Sequence, residues 1–496
     1  MPARLSVDIC DWVALRARSH PNHPAVECSG TTWTYTDLDR LVGTAAGALR
    51  ARDVEDGEPV AVLAGNGLEI ARFAHAIPRT GAAFMPLNAR LSASELAFQL
   101  GDSRARLLIA TPEYAEVARD AAARAGVAVL DATSGEWDAG APLGGTDAIE
   151  ADRPHSVIYT SGTTGRPKGA VLTHGNFYWS AVASAMNLGV REDDRWLACM
   201  PLFHVGGLSI LLRSAIYGTT AVVHERFEEA RVNAALREDG VTLLSVVATM
   251  LTRMFEVDGL PLGNSLRAVL LGGGPAPRPL LEAARDRGVP VLQTYGLTET
   301  ASQVATLPPE DALRKLGSAG LALSSSTVRI EVDGRAAEAG EVGEICVAGP
   351  TVCAGYLHRP DATAEAIRDG WLHTGDLGYL DEEGYLYVAD RRDDLIVSGG
   401  ENVYPAEVES ALLSLEGVEE CAVVGVPNER WGHLVVAVIV GGAELEGIPS
   451  ALRGALAGYK VPRRVVRWDG LLPRTASGKL QRHLVREWAR EHLGEG

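Results

Sequence analysis

The stretch Ser156-Val157-Ile158-Tyr159-Thr160-Ser161-Gly162-Thr163-Thr164-Gly165-Arg166-Pro167-Lys168-Gly169 runs from a short apolar strand straight into a turn rich in glycine and hydroxyls, closing on a lysine. Glycines let backbone N–H groups turn inward around an anion, hydroxyls add donors, and a lysine supplies countercharge. It is not the GxxxxGK[ST] loop, because Gly169 follows Lys168 where a Ser or Thr would hold magnesium. A flexible Gly/Ser turn is the bland alternative, and a buried strand directly in front of so dense a run argues against it.

Working outward, the same strand-then-glycine pattern recurs. Val60–Ala64, Leu107–Thr111, Ala221–His224, Ala268–Leu271 and Val289–Thr294 are short apolar runs separated by helix-like segments. That is the βα rhythm of parallel sheets layered with helices, whose ligands collect at the carboxyl ends of the strands. From about residue 328 the rhythm gives way to β-rich segments, Val328–Val332, Glu344–Ala348 and Tyr385–Ala389, which predict a small β subdomain over about 328–390. The charged run Asp390-Arg391-Arg392-Asp393-Asp394, followed by Ser398-Gly399-Gly400-Glu401-Asn402, suits an exposed linker. The expectation is an α/β protein: a large N-terminal domain over 1–390 and a mobile α+β C-terminal domain over 391–496. The latter carries a helix Pro405–Leu415, strands Cys421–Val426 and Leu434–Val440, and a final basic helix.

The 496 residues exceed what a single core usually accommodates. With 46 basic against 64 acidic residues, the formal charge of −18 argues against binding nucleic acid or an anionic membrane surface. The exception is Arg453 to Arg490, where the local balance is +8. That patch is either a solvated face or a surface that meets phosphates. The six cysteines form no CxxC pair and no zinc-spaced cluster, which reads as buried thiols in a reducing compartment. Asp8 and Asp11 stand where a signal peptide needs an apolar core, and no run reaches the roughly 18 apolar residues of a membrane span. A cytoplasmic protein is expected, with a homo-oligomer allowed for.

Further motifs gain weight from their order. Gly272-Gly273-Gly274-Pro275 leaves one strand, giving a flat ligand close backbone approach. Tyr295-Gly296-Leu297-Thr298-Glu299 leaves the next, with a ring that could stack on a base and a carboxylate that could hold Mg2+. Thr374-Gly375-Asp376 offers an acid to ribose hydroxyls, Arg391 another donor, and Pro473–Lys479 sets a lysine on a glycine turn. Each alone is more often structural.

Together, from Trp33-Thr34-Tyr35 to Lys479, these segments resemble the adenylate-forming superfamily of acyl-CoA synthetases, luciferases and peptide-synthetase adenylation domains. The resemblance implies ATP, Mg2+ and coenzyme A acting on a small-molecule carboxylic acid. It gives Lys479 the catalytic role in adenylation, with Glu299 and His204 beside it. Thr160, Ser161, Gly162, Thr163, Thr164, Lys168, Gly273, Gly274, Pro275, Tyr295, Gly296, Thr298, Asp376 and Arg391 are then expected around ATP and AMP, and Glu299 on the metal. Asp393 takes the hinge position, while Gly399, Gly400 and Glu401 lie in the loop that meets coenzyme A.

The acid is addressed by Leu202–Tyr217. Arg213 sits in an otherwise apolar helix, either exposed or paired with a carboxylate, and a fatty-acid enzyme has little use for it. That stretch, with Leu270–Pro277, Tyr295–Gln303, Lys315–Gly320 and Ser398–Ser410, resembles the o-succinylbenzoate–CoA ligases of menaquinone biosynthesis. This would place His204, Arg213, Gly272 and Ser302 around the acid. The competing readings are another aryl- or medium-chain acyl-CoA ligase, an amino-acid adenylation domain, and an inactive nucleotide-binding relative.

Overall fold

The computed structural model describes residues 8–160, 167–257, 265–273, 276, 278–390, 395–473 and 482–493. The chain divides into two compact units: Met1–Ala89, Leu100–Ile158 and Gly169–Ala389 form the first, and Asp390–Gly496 the second, together with Arg90–Gln99 and Tyr159–Lys168.

The first unit contains two large sheets. In the seven-stranded one, Pro59–Leu63 lies parallel between Ala83–Pro86 and Leu107–Ala110, pairing Val60 with Phe84 and Leu107. Every residue of these three strands is buried, so they read as unbroken apolar runs rather than alternating ones. The adjoining helices are pinned at their starts by sequence-local caps. Thr34 and Asp37 form a capping box for Tyr35–Arg50, and Thr173 and Asn176 form one for His174–Leu188. The Asn176 side chain also donates to the carbonyls of Pro350 and Val352, tying this helix start to a distant loop.

Among the described residues the second sheet has fifteen strands. Its parallel part, from Pro24–Cys28 through Thr220–Val223, Arg195–Ala198, Leu243–Val247 and Ala268–Gly272 to Val291–Leu297, turns antiparallel at Ser302–Leu307. The β-rich segments expected after residue 328 are continuous with it, because Ser318–Ala322 pairs with Leu386–Asp390. Observed bounds fall close to the expected ones, as with Thr327–Val332 and Gly343–Ala348.

In the second unit, Glu420–Asn428 and Gly432–Val440 pair along their whole length. Their alternation divides the side chains. Val423, Val435, Ala437 and Ile439 pack under helix Pro405–Leu412, while Ala422, Val424, Val436 and Val438 meet Val485 and Ala489 of helix Arg482–His492. Part of the basic patch is engaged inside this unit: Arg482 grips Glu409 with two bonds of 2.9 and 2.7 Å, Lys460 donates to Glu407, and Arg463 stacks on Trp431. No described helix is long and apolar enough to cross a membrane.

One expectation changes. Ser398–Asn402 is not an open linker: Ile396–Ser398 and Glu401–Val403 form a tight hairpin whose two turn residues, Gly399 (φ 61°) and Gly400 (φ 84°), both take the left-handed conformation. A two-residue turn of this twist needs positive φ at both positions, which is what the glycine pair supplies. Glu401 is buried in the hairpin's second strand.

Candidate active site

Leu243–Val247, Ala268–Gly272 and Val291–Leu297 are parallel neighbours, so their carboxyl ends converge. Gly273 follows with φ 79°, and a Cβ there would come within 3.0 Å of Val247 Cγ1. Gly272 closes its strand against Thr294. Tyr295 and Gly296 lie inside Val291–Leu297 rather than beyond its end. At Gly296 the strand folds back so tightly on Ser302 that a Cβ would overlap the Ser302 carbonyl oxygen, and the register slips between Tyr295 and Gly296. A single 3-10 turn, Thr298–Thr300, follows, then two residues with positive φ, Ala301 (51°) and Ser302 (106°). Consecutive non-glycine residues in this region mark a corner held by its surroundings.

Two tyrosines fix the acids. Tyr295 is buried against Val304, Ile330 and Ile345, and its hydroxyl donates to Asp376 Oδ2 at 2.7 Å. That bond anchors Asp376. Asp376 lies within strand Trp371–Leu380, where Thr374 Oγ1 donates to Ile345 O and accepts the Asp376 N–H, and the Gly375 N–H donates to Glu344 Oε1. Tyr356 Oη donates to Glu299 Oε1 at 2.9 Å, while the Cys353 N–H donates to the Glu299 carbonyl. Burial and the nearby Glu299 push the Cys353 thiol up to about 12, so it stays protonated. The half-buried Glu299 carboxylate and the Thr298 hydroxyl are hard oxygen donors, the chemistry Mg2+ takes.

His204 is the N-cap residue of helix Val205–Tyr217, its ring tilted against Phe203. Arg213, nine residues on, is ~13 Å further along the axis and half a turn around it. It is buried, 3% exposed. Its Nη2 donates to Ser180 Oγ at 2.9 Å, Ser180 Oγ donates to the Ala301 carbonyl at 2.7 Å, and the guanidinium lies 5.7 Å from the Trp196 ring centroid. Arg213 is thus linked through Ser180 to the Ala301–Ser302 corner. Its Nε has no hydrogen-bond partner and it pairs with no carboxylate among the described residues. Burial pulls its pKa down from the usual arginine value.

Thr160 ends strand Pro154–Thr160, and Lys168 opens strand Lys168–Thr173. Ser161, Gly162, Thr163, Thr164, Gly274, Pro275, Arg391, Asp393 and Lys479 lie outside the described residues. Sequence reasoning missed Tyr356 and Ser180. Both act through side chains far along the chain from their partners, 57 residues for Tyr356–Glu299 and 33 for Ser180–Arg213, with no motif to join them.

Residues 13–357 match the family described as AMP-binding enzyme, and residues 407–479 match the AMP-binding enzyme C-terminal domain. The chain belongs to the AMP-binding enzyme family. A 2-succinylbenzoate–CoA ligase of Bacillus cereus is 44% identical over 484 residues, covering 97% of this chain and 99% of the relative. A double mutant of the o-succinylbenzoate CoA synthetase of Bacillus subtilis, bound to the product analogue OSB-NCoA, has a TM-score of 0.91 at 42% identity, covering 97% and 99% of the two chains. The Bacillus subtilis enzyme with ATP and magnesium gives 0.75 at 42%, covering 96% and 99%.

Proposed function

We propose that this protein is an ATP-dependent ligase that converts o-succinylbenzoate to its coenzyme A thioester through an acyl-adenylate, a cytoplasmic step of menaquinone biosynthesis. The observation that carries the choice of acid is Arg213. A buried guanidinium without a counter-charge is costly, and an acid with a second carboxylate would supply one. The family membership and the near full-length similarity to 2-succinylbenzoate–CoA ligases support the same reading.

A free carboxylate is a poor acyl donor. In the first step its oxygen attacks the α-phosphorus of ATP, the bond to the bridging oxygen breaks, and pyrophosphate leaves. In the second, the coenzyme A thiol gives up its proton and attacks the acyl carbon, releasing AMP. Within this reading Asp376 and Arg391 hold the ribose, Thr298 and Glu299 face the phosphates, and the Thr160–Lys168 segment cradles them with Gly273, Gly274 and Pro275. Mg2+, when bound, offsets phosphate charge during the first step. Lys479 supplies the mobile positive charge of the same step. Gly399, Gly400 and Glu401 meet coenzyme A, and a swing near Asp393 exchanges the two arrangements, since one site must present two constellations. His204, Gly272 and Ser302 complete the acid pocket.

The test is a panel of carboxylic acids assayed for ATP- and Mg2+-dependent consumption of coenzyme A. Preference for o-succinylbenzoate over benzoate, phenylbutyrate and octanoate is expected. Preference for an acid with one carboxylate would overturn the choice of substrate and leave the ligase reading intact.

A further inference from the structure

Three adjacent strands of the first unit, Thr327–Val332, Gly343–Ala348 and Trp371–Leu380, place an unusual set of side chains on one face. Cys346 stands opposite Arg329 on one side and His373 on the other, and Glu331 stands opposite Glu344. Ile330, Ile345 and Val347, the residues of alternate parity, point the other way into the apolar core. A strand paired at period two keeps Glu331, Glu344, Cys346 and His373 on the same side. Cys346 is fully buried, and its Sγ lies 3.4 Å from His373 Nδ1, which is 3.1 Å from Glu344 Oε2. One donor atom from each of Glu331, Cys346 and His373 falls within 4.8 Å of the others, and no other such group of three occurs among the described residues.

We propose that Glu331, Cys346 and His373 form a binding site for a thiophilic divalent cation of the zinc or cobalt class, separate from the Mg2+ that accompanies ATP. Zn–S and Zn–N bonds in tetrahedral geometry separate sulfur from nitrogen by ~3.5 Å, close to the Sγ–Nδ1 distance observed. Thiolate and imidazole select borderline metals, whereas Mg2+ takes oxygen ligands and keeps its waters. Arg329 donates to Glu331 Oε2 at 2.7 Å and also hydrogen-bonds the Cys346 thiol, so a bound cation would take the place of these contacts. Glu344 Oε2 contacts the same Nδ1, so on loading that hydrogen bond gives way to the metal. The binding step balances as exchange: the Cys346 thiol loses its proton to solvent and the sulfur takes the cation.

The test is titration of the chelator-treated full-length protein with Co2+ in millimolar Mg2+, following thiolate-to-cobalt charge-transfer absorption. One Co2+ per chain with that band is expected. Cys346→Ser should remove the band, although Cys10, Cys28, Cys199, Cys353 and Cys421 remain. His373→Gln and Glu331→Gln, which keep the thiol, should each weaken binding roughly tenfold or more. Circular dichroism confirms that each variant is folded, and the two thiol-retaining variants decide the matter if Cys346→Ser is not. Absence of the band, its persistence in folded Cys346→Ser, or unchanged affinity in both His373→Gln and Glu331→Gln would overturn the proposal. None of these outcomes depends on which acid the enzyme activates.

Discussion

The hydroxyl of Tyr295 lies 2.7 Å from Asp376 Oδ2, joining two strands of the first unit that are 81 residues apart in sequence. The bond holds one oxygen of the acid that the function assigned here aims at the ribose. Tyr295→Phe keeps the ring in its core and deletes this bond. A net loss of ~1 kcal/mol is expected, seen as a roughly fivefold rise in the KM for ATP with kcat little changed. Equal losses in both, or a large fall in melting temperature, would make the tyrosine a folding residue alone.

Tyr356 does the same for Glu299. In Tyr356→Phe the donor to Glu299 Oε1 is gone, and the carboxylate loses one of the contacts that orient it. The Mg2+ concentration giving half-maximal pyrophosphate release should rise a few-fold, while the KM for the acid stays constant. An unchanged Mg2+ requirement would separate Glu299 from the metal.

Three imidazoles of the first unit are buried together. His155 packs edge-on against His174 at 4.8 Å, Trp12 contacts both, and His75 shares their neighbourhood with Asp11 and Arg79. Desolvation lowers all three pKa values, with His75 at about 4 and His174 at about 3. The unfolded chain binds these protons first, near pH 6.5, so stability falls as pH drops from there toward the folded values. For His75 alone the loss is ~3 kcal/mol between 6.5 and about 4. The buried Asp11–Arg79 pair gives way only below the usual aspartate range, because Asp11 is itself lowered. Urea unfolding from pH 7.5 to 4.5 should show this decline, and folded His75→Gln should lower its slope by about one proton. An unaltered slope would contradict the assignment.

Lys479→Ala should abolish acyl-adenylate formation while thioester formation from supplied acyl-adenylate largely survives. Single-turnover assays of each half-reaction distinguish this from a general loss. Equal damage to both steps would remove Lys479 from its assigned role.

Much of this architecture was legible because burial on both faces leaves a simple trace. Leu107–Ala110 is apolar throughout and is a parallel strand with all four residues buried. Ala83–Pro86 leaves a weaker trace, because it ends in proline. Charges before Ser398 suggested a linker, yet the glycine pair specified a tight hairpin. Arg213 could be singled out because one charge interrupts an apolar helix, while its burial depends on Trp196 and Ser180, elements that no local pattern brings together. The Tyr295 motif suggests a ring that could stack on a base. The sequence showed its motif, but not that its hydroxyl reaches Asp376.

In the proposed function the buried charge of Arg213 is matched by the second carboxylate of the acid. The most direct measurement of this match is kcat/KM for o-succinylbenzoate and for the analogue lacking the ring carboxylate, in the wild type and in Arg213→Leu. A charge-assisted contact is worth ~1.5–3 kcal/mol, so the mutant should lose roughly ten- to a hundredfold with o-succinylbenzoate. It should hardly change with the analogue, and the KM for ATP should hold. Equal losses for both acids, as missing packing around the arginine stem would produce, or no loss for either, would contradict the account.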